Sequence, residues 1–432
     1  MRIFYLLKDK FLNSNIAKNF IIVFLGDGIS SVLTLLNLSI MIKVLGLSNS
    51  SLVNLVIAYV LVFDTIFNFQ SFNSIIKFLP GALLKKDYVK VKSYLQQGFI
   101  LDVVTAIISF AASNIFIEAV SKFLNWDYNI ISLVRLYSFF IIFNLTGTCI
   151  GIIRVFNKFK YSSYINIFVN SLKFIFYLLS FIINVNMWYF ISIELVFCLI
   201  NTILLFIVVK KVLISNNLIG IFKNKIVWDK EFLKFNFYCN FMTTLDVPIS
   251  HLTPFLINSF VGIEFISIYK IIEKIGGIVA KVTSPIFNII YPEISTKISE
   301  EKNKEAVSLV KKLFFIIILF GASVTVFLGL TYKLWIGILI MDGEKYIVNI
   351  LFYIIFVVVK FSFVGVYPLF ISLGYIKYNV SIVVVANLIY LMVIPFFSSK
   401  FNINGVIISQ FIQVFIVIFM QVLIIRKGLS RQ

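Results

Sequence analysis

The chain has 432 residues, of which 60% are hydrophobic and 13% are charged, and its formal net charge is +19. Soluble domains carry about 25% charged residues, so this composition excludes an ordinary soluble protein. Long apolar runs recur from one end of the chain to the other, which predicts an all-α, polytopic membrane protein and excludes a soluble domain with a single anchor.

The N-terminal residues lack the small-residue cleavage site of a signal peptide, so we expect the first span to remain in the mature protein. Runs of roughly 20 or more apolar residues predict about twelve spans. They lie near 20–45, 52–79, 95–117, 131–153, 162–184, 187–209, 235–260, 264–291, 308–331, 347–373, 378–397 and 404–425.

Positive charge alternates between successive loops. The two tails and every second loop together hold 27 of the 38 lysines and arginines. The remaining loops hold five: Lys43, Lys122, Lys333, Lys345 and Lys400. The positive-inside rule therefore places both termini in the cytoplasm. Because the basic residues are dispersed over short loops, we expect contact with membrane lipids and no nucleic-acid partner.

The longest connection between predicted spans lies in the middle of the chain and divides the sequence into two halves. We predict a six-helix lobe at 1–212, a cytoplasmic linker at 213–234 and a second six-helix lobe at 235–432.

Landmarks recur between the two halves. Gly46 and Gly262 follow spans one and seven, and Pro80 and Pro292 follow spans two and eight. Both pairs are separated by a little over 210 residues, which indicates an internal repeat. Lobes of six spans insert with the same polarity, so we expect them to enclose a central cavity.

Span eight carries three lysines that a lipid environment cannot solvate. On a helix, Lys274 and Lys281 lie about 40° and about 20° around the axis from Lys270, so the three share one face about 16 Å long. Such a cationic face predicts a water-filled cavity and an anionic cargo. The alternative is structural pairing, in which Glu273 neutralises one neighbouring lysine and Asp246 on the preceding span neutralises another. Lys270 also has the alternative of extending to the outer interface.

Other charged residues inside the predicted spans complete two candidate sets. Further substrate-binding candidates are Lys173, Arg135 and Lys360, although interfacial snorkelling is an equal alternative for Arg135 and Lys360. Ion-coupling candidates are Asp27, Asp64, Asp246 and Glu273. For Asp27 and Asp64, a hydrogen bond between helices is an equal alternative.

The first lobe is predicted to lack a matching cationic face. An offset of 216 maps the three lysines to uncharged residues, namely Asn54, Ala58 and Thr65. Polar residues do recur on span two, where Asp64, Asn68 and Ser71 follow helical spacing and are predicted to share one face.

No cofactor or metal centre is predicted. His251 is the only histidine, and the three cysteines have no metal-ligand or redox spacing. The chain has no phosphate-binding loop and no nucleophile elbow.

Six segments together resemble a known family. They are KVLGLSNSSLV (43–53), FNFQSFNSIIKFLP (67–80), KKDYVKVKSYLQQ (85–97), VGIEFISIYKIIEKIGGIVAKVTSPIFNIIYPEIS (261–295), TKISEEKNKEAVSLVKK (296–312) and GYIKYNVS (374–381). The chain resembles the oligosaccharide-lipid flippases (Wzx-type) of bacterial surface-polysaccharide synthesis. This family belongs to the multidrug/oligosaccharidyl-lipid/polysaccharide exporter superfamily.

The resemblance implies a MATE-like fold and a location in the bacterial cytoplasmic membrane. It implies a polyprenyl-pyrophosphate-linked glycan as cargo, for O-antigen or capsule synthesis, and glycan-assembly proteins, including a polymerase, as partners. Two other functions remain open. A cation-coupled multidrug exporter has the same fold but predicts an acidic lumen. A membrane-bound glycan polymerase or ligase is less favoured, because the predicted outer loops are all short.

Overall fold

The computed structural model describes residues 15–218, 220–223, 226–281 and 284–429. The regular elements of these residues are all helices. The first eight α-helices are α1 (Asn15–Phe67), α2 (Phe72–Leu84), α3 (Tyr88–Leu124), α4 (Tyr128–Phe143), α5 (Gly147–Val155), α6 (Phe159–Leu179), α7 (Met187–Ser215) and α8 (Lys230–Thr244). The next eight are α9 (Thr253–Phe260), α10 (Glu264–Lys281), α11 (Ser284–Ser299), α12 (Asn303–Leu330), α13 (Tyr332–Leu339), α14 (Ile347–Ser362), α15 (Val366–Ser372) and α16 (Asn379–Leu429).

Each predicted span has a helical counterpart in the described residues, which confirms the polytopic all-α fold. The longest helices, α1 and α16, each contain a break. Gly46 has φ 78° and ψ 172°, and Asn402 has φ 51° and ψ −133°. The Gly46 conformation is one that glycine alone adopts without strain, so this residue separates span one from span two.

Eight helical stretches of the described residues are long and apolar enough to cross a membrane. Two of them, Leu25–Leu84 and Tyr375–Leu429, have 60 and 55 residues, which is enough for two crossings each at about 20 residues per crossing.

Several spans that the hydropathy predicts as single helices are divided in the structure. Span two is divided between α1 and α2, span four between α4 and α5, and span ten between α14 and α15. Span seven is divided as well, because α8 and α9 flank a π-helical turn at Pro248–Leu252. Hydropathy misses such breaks because the interrupting segments are only a few residues long.

The chain divides into two compact units. Unit 1 comprises Met1–Asn37 and Leu55–Val247, and unit 2 comprises Leu38–Asn54 and Pro248–Gln432. Some residues of the predicted lobes and linker lie outside the described part of the chain. They are residues 1–14 of the first lobe, residues 219, 224 and 225 of the linker, and residues 282, 283 and 430–432 of the second lobe.

Within unit 1, one carboxylate joins two of the broken spans. Asp102 of α3 is 2% exposed and accepts the Ser71 N–H at 2.9 Å and the Thr148 N–H at 2.7 Å. These N–H groups belong to the first turns of α2 and α5, where a helix has no internal acceptor and carries partial positive charge. A Cβ at Gly147 would lie 2.8 Å from the Ser71 nitrogen, so glycine is required for this approach.

Within unit 2, α10 packs against α14 and against the chain that follows Gly46. Ser51 accepts the N–H of Ser267 at 3.0 Å, and the two hydroxyls lie 3.0 Å apart. The two serines are 216 residues apart. This spacing is that of the repeat landmarks, so the contact joins corresponding positions of the two halves.

Two adjacent glycines of α10 test the packing of this helix. A Cβ at Gly276 would lie 2.5 Å from the Tyr353 ring, whereas a Cβ at Gly277 would meet nothing within 4 Å. We expect Gly276→Ala to lower the free energy of unfolding by about 1–3 kcal/mol through overpacking. Gly277→Ala should be neutral or stabilising by up to about 1 kcal/mol, because alanine is the better helix former. Thermal denaturation of the two purified variants in the same detergent distinguishes them. Equal melting temperatures would contradict the close packing of Gly276 against Tyr353.

Candidate functional site

The three lysines of the predicted stripe lie on one continuous helix, α10. One face of α10 is buried and is mainly isoleucine. Lys274 is exposed, and Lys270 and Lys281 are partly exposed. Gly277 lies between them at helical spacing and borders open space. The lysine face of α10 is therefore partly exposed, and its role in binding an anion stays a prediction.

Glu273 forms an ion pair with one lysine of this face. Lys270 Nζ donates to Glu273 Oε2 at 2.8 Å, as the pairing alternative predicts for this lysine. His251 lies within electrostatic range of both groups. Behind the face, the amide of Gln410 donates to the Tyr269 hydroxyl at 2.6 Å. Lys270 therefore has a structural ion-pair role within the stripe.

Unit 1 contains a polar pocket at the break of span two. Its cavity volume is about 190 Å³. The lining is mainly amides and hydroxyls, and its single carboxylate is Asp64: the residues are Asp64, Thr65, Asn68, Gln70, Phe72, Asn73, Cys239, Asn240 and Thr243. This lining matches a neutral polar ligand better than an apolar one, since each amide offers both a donor and an acceptor.

Two amides hold Asp64 in this pocket. Asp64 is 6% exposed and accepts from Asn68 Nδ2 at 2.8 Å and from Asn144 Nδ2 at 3.4 Å. Asn144 is the C-cap of α4, so the breaks of spans two and four meet at this carboxylate. Ser71 does not continue the polar face as the sequence predicts, because the helix is interrupted before it and its backbone N–H binds Asp102.

Lys173 is paired in the structure. Its ammonium donates to Glu194 on α7, and the Tyr177 hydroxyl donates to the other Glu194 oxygen at 2.7 Å. Both charged side chains are mostly buried. Cys198 lies within electrostatic range of Lys173, Glu194 and Asp64, so these groups share one region of unit 1. Lys173 therefore has a structural role as the ion-pair partner of Glu194. Its binding of an anionic substrate stays a prediction.

Arg135 and Lys360 lie at more exposed positions. Arg135 Nη2 is 3.2 Å from Glu118 Oε1, and both side chains are about half exposed or more. Lys360 is exposed in the last turn of α14, with its ammonium 5.9 Å from the Phe361 ring centroid. Neither residue lies on the lysine face of α10 or in the Asp64 pocket.

The remaining acidic candidates differ in burial. Asp27 on α1 is partly buried, and its backbone carbonyl accepts from the Ser31 hydroxyl at 2.8 Å. Asp246 is exposed in the turn that follows α8. Of the four predicted ion-coupling residues, Asp64 is the one that lines the polar pocket.

Three residues near these sites were not predicted from the sequence as site residues: Asp102, Asn144 and Tyr177. Asp102 and Asn144 act at helix breaks, which apolar periodicity does not show. A signal was nevertheless present: Asp102 is an acid in the middle of a long apolar run, and such residues seldom lack a partner.

Unit 1 contains a mostly buried ion pair, Lys173–Glu194, and a more exposed one, Arg135–Glu118, whose contributions to stability can be compared. Lys173→Ala leaves Glu194 buried without its cation, and we expect a loss of about 3–5 kcal/mol in the free energy of unfolding. Lys173→Ala/Glu194→Ala should recover part of that loss, because no lone charge remains. The measurement is a double-mutant cycle by denaturant unfolding in detergent.

The control cycle uses Arg135→Ala and Glu118→Ala, for which the expected coupling is at most about 1 kcal/mol. Equal coupling energies in the two cycles would contradict the burial of the Lys173–Glu194 pair.

Comparison with known proteins gives a family and a fold. The family model described as "Polysaccharide biosynthesis protein" matches residues 16–297, more than half of the chain. No curated protein sequence matches it.

Solved structures of transporters are similar over nearly their whole length. An inward-facing multidrug resistance MATE family transporter of the MOP superfamily has a TM-score of 0.74 at 13% identity, covering 93% of this chain and 95% of its own. A MOP superfamily transporter from Pyrococcus furiosus, described as having a binding pocket of reverse polarity, has a TM-score of 0.63 at 13% identity, with 95% and 96% covered. The Vibrio cholerae MATE transporter VcmN has a TM-score of 0.60 at 10% identity, with 96% and 97% covered.

The family match and the structural similarity agree with the resemblance seen in the sequence. The chain therefore belongs to the polysaccharide biosynthesis protein family, and its fold is that of the MATE transporters of the MOP superfamily.

Proposed function

We propose that the protein moves a polyprenyl-pyrophosphate-linked oligosaccharide across the bacterial cytoplasmic membrane, by alternating access, for surface polysaccharide synthesis. The chain is a multi-pass membrane protein with a transporter fold, and its family acts in polysaccharide biosynthesis. In this proposal both termini are cytoplasmic. The glycan lipid is the cargo, and a polymerase and other glycan-assembly proteins act on it afterwards.

The observation that carries the proposal is the partly exposed lysine face of α10. Lys274 and Lys281 place two cations on this face, whereas the opposite face of the helix is buried and mainly isoleucine. An ammonium on a flexible stem suits a pyrophosphate, whose position varies along a transport path. The head group must cross about 30 Å of hydrocarbon, where an unpaired phosphate charge has a prohibitive cost.

The polar pocket of unit 1 supports the same cargo. Its amides and hydroxyls surround a single carboxylate, Asp64. Sugars present hydroxyls that both donate and accept hydrogen bonds, and this lining can satisfy both. In the proposal, α10 binds the pyrophosphate and the Asp64 pocket binds sugar.

The driving force follows from charge. One elementary charge crossing 100 mV corresponds to about 2.3 kcal/mol, so a negative cell interior favours export of an anionic head group. Coupling to a cation is assigned in this proposal to Asp64, since this carboxylate is buried, is held by two amides and borders a cavity. Asp27, Asp246 and Glu273 are secondary candidates.

A second function, cation-coupled multidrug export, is favoured by the structural similarity to MATE transporters. The Asp64 carboxylate would then attract a cationic drug. The Pyrococcus furiosus transporter is described as having a pocket of reverse polarity that suggests a different function. Transporters that share this fold can therefore differ in the charge of their binding pocket. Because the lysine face of α10 is cationic, we favour an anionic cargo.

Transport in proteoliposomes tests the choice of cargo. The probe is a fluorescent polyprenyl-pyrophosphate-linked disaccharide, and protection from a membrane-impermeant quencher reports its leaflet. We expect Lys274→Ala/Lys281→Ala to slow flipping at least about tenfold, since each charge-assisted contact contributes about 1.5–3 kcal/mol. Lys274→Arg/Lys281→Arg should retain most of the rate.

The matched control is Lys311→Ala/Lys312→Ala, which removes two exposed lysines from α12 of the same unit. It should flip the probe at the wild-type rate. Equal rates for the two double alanine variants would refute the role of the lysine face. Uptake of ethidium by the wild-type protein, without flipping of the glycolipid, would establish the multidrug alternative.

A further inference from the structure

A second and larger pocket of unit 1 lies where α3 ends and α4 begins. Its cavity volume is about 710 Å³, within the range of about 300–1,000 Å³ that is typical of small-molecule sites. We call it the α3–α4 pocket. The loop beside it is the one after span three, whose only basic residue is Lys122, so the positive-inside rule predicts that the pocket faces outward.

Local hydrogen bonds fix the wall of this pocket. Asn125 ends α3 in the left-handed conformation, with φ 54° and ψ 41°. Asp127 begins α4 as its N-cap and accepts the Ile130 N–H at 2.8 Å. Between them, the Trp126 ring is 9% exposed and packs 6.0 Å from the Tyr59 ring centroid. Ordered caps and a packed indole give a preorganised wall, which reduces the entropy lost when a ligand binds.

The charges of the lining balance. Glu118 and Asp127 are negative, and Lys122 and Arg135 are positive. Such a lining favours neither an anionic pyrophosphate nor a cationic drug. The Arg135–Glu118 pair, with side chains 47% and 72% exposed, presents donors and acceptors side by side. Neighbouring hydroxyls of a sugar need this arrangement, because each hydroxyl both donates and accepts.

An exposed aromatic ring lies in the same lining. Tyr128, the first residue of α4, is 78% exposed. A tyrosine ring offers a rigid apolar face and a polar hydroxyl at low cost in conformational entropy. Asn125 and the Arg135–Glu118 pair line the same pocket as Tyr128, so they offer hydrogen-bond partners to a sugar that stacks on the ring.

We propose that the α3–α4 pocket is a saccharide-binding subsite for neutral sugars of the transported glycan. This inference rests on the proposed function, and it adds a contact for the sugars at the predicted outer end of unit 1. It also gives Arg135 a different role from the predicted one: with Glu118 it binds hydroxyl groups of the glycan, and it does not bind the pyrophosphate.

Saturation-transfer difference NMR tests the subsite with the full-length protein in lipid nanodiscs. The probes are the methyl glycosides of glucose, galactose and N-acetylglucosamine. We expect saturation transfer to at least one of them above that in empty nanodiscs. Tyr128→Ala should weaken its binding about 3–10-fold, through loss of the stacking ring. Glu118→Gln should also weaken it, because an amide replaces a charged acceptor.

Tyr88→Ala is the matched control. Tyr88 is also the first residue of its helix, follows an aspartate N-cap and is 52% exposed, but it lies at the opposite end of α3. We expect this variant to bind as the wild type does.

Absence of saturation transfer to every glycoside would overturn the proposal, as would equal binding by Tyr128→Ala and the wild type. If the pocket binds only a lipid head group, no glycoside will show saturation transfer. Flipping of the fluorescent glycolipid without saccharide binding would refute the subsite and leave the proposed function intact. Saccharide binding that depends on Tyr128, without flipping, would refute the proposed function and leave the subsite intact.

Discussion

Backbone polar groups inside a membrane must find partners within the protein, and this constraint acts most strongly where a spanning helix is broken. In the described residues of unit 1, spans two and four are broken in this way, and the Asp102 carboxylate accepts one N–H group at each break, from Ser71 and Thr148. The buried negative charge in turn lies against two helix N-termini, whose partial positive charge stabilises it. The breaks and the carboxylate therefore depend on each other.

The Asp64 pocket depends on these breaks. Because α2 begins anew at Phe72 and α4 ends at Phe143, the side chains of Asn68 and Asn144 point to Asp64 and do not continue a helix face. The two units differ in chemistry: unit 1 has amides around a carboxylate, and unit 2 has the lysine face of α10. The cargo proposed above has a sugar portion and a pyrophosphate portion, and the two chemistries are assigned to these portions in that proposal.

The sequence predicted the twelve spans well, because hydropathy responds to burial in lipid over some 20 residues. It also placed Lys270, Lys274 and Lys281 on one helical face, which needs only helical periodicity. It did not predict the breaks, which depend on a few residues and on the distant Asp102. The Lys173–Glu194 pair was missed for a related reason: the partners lie on different helices, and one sequence without covariation does not join them. The roles of the site residues in transport remain predictions.

Peptide-resolved hydrogen–deuterium exchange on Asp102→Ala tests most directly whether one carboxylate holds the two breaks. We expect exchange at least about tenfold faster in peptides that cover the starts of α2 and α5, with α7 unchanged, because each N–H group loses a charged acceptor. Asp102→Asn keeps one acceptor oxygen, so it should release one helix start more than the other. Wild-type protection at both helix starts in Asp102→Ala would show that Asp102 does not hold the two breaks.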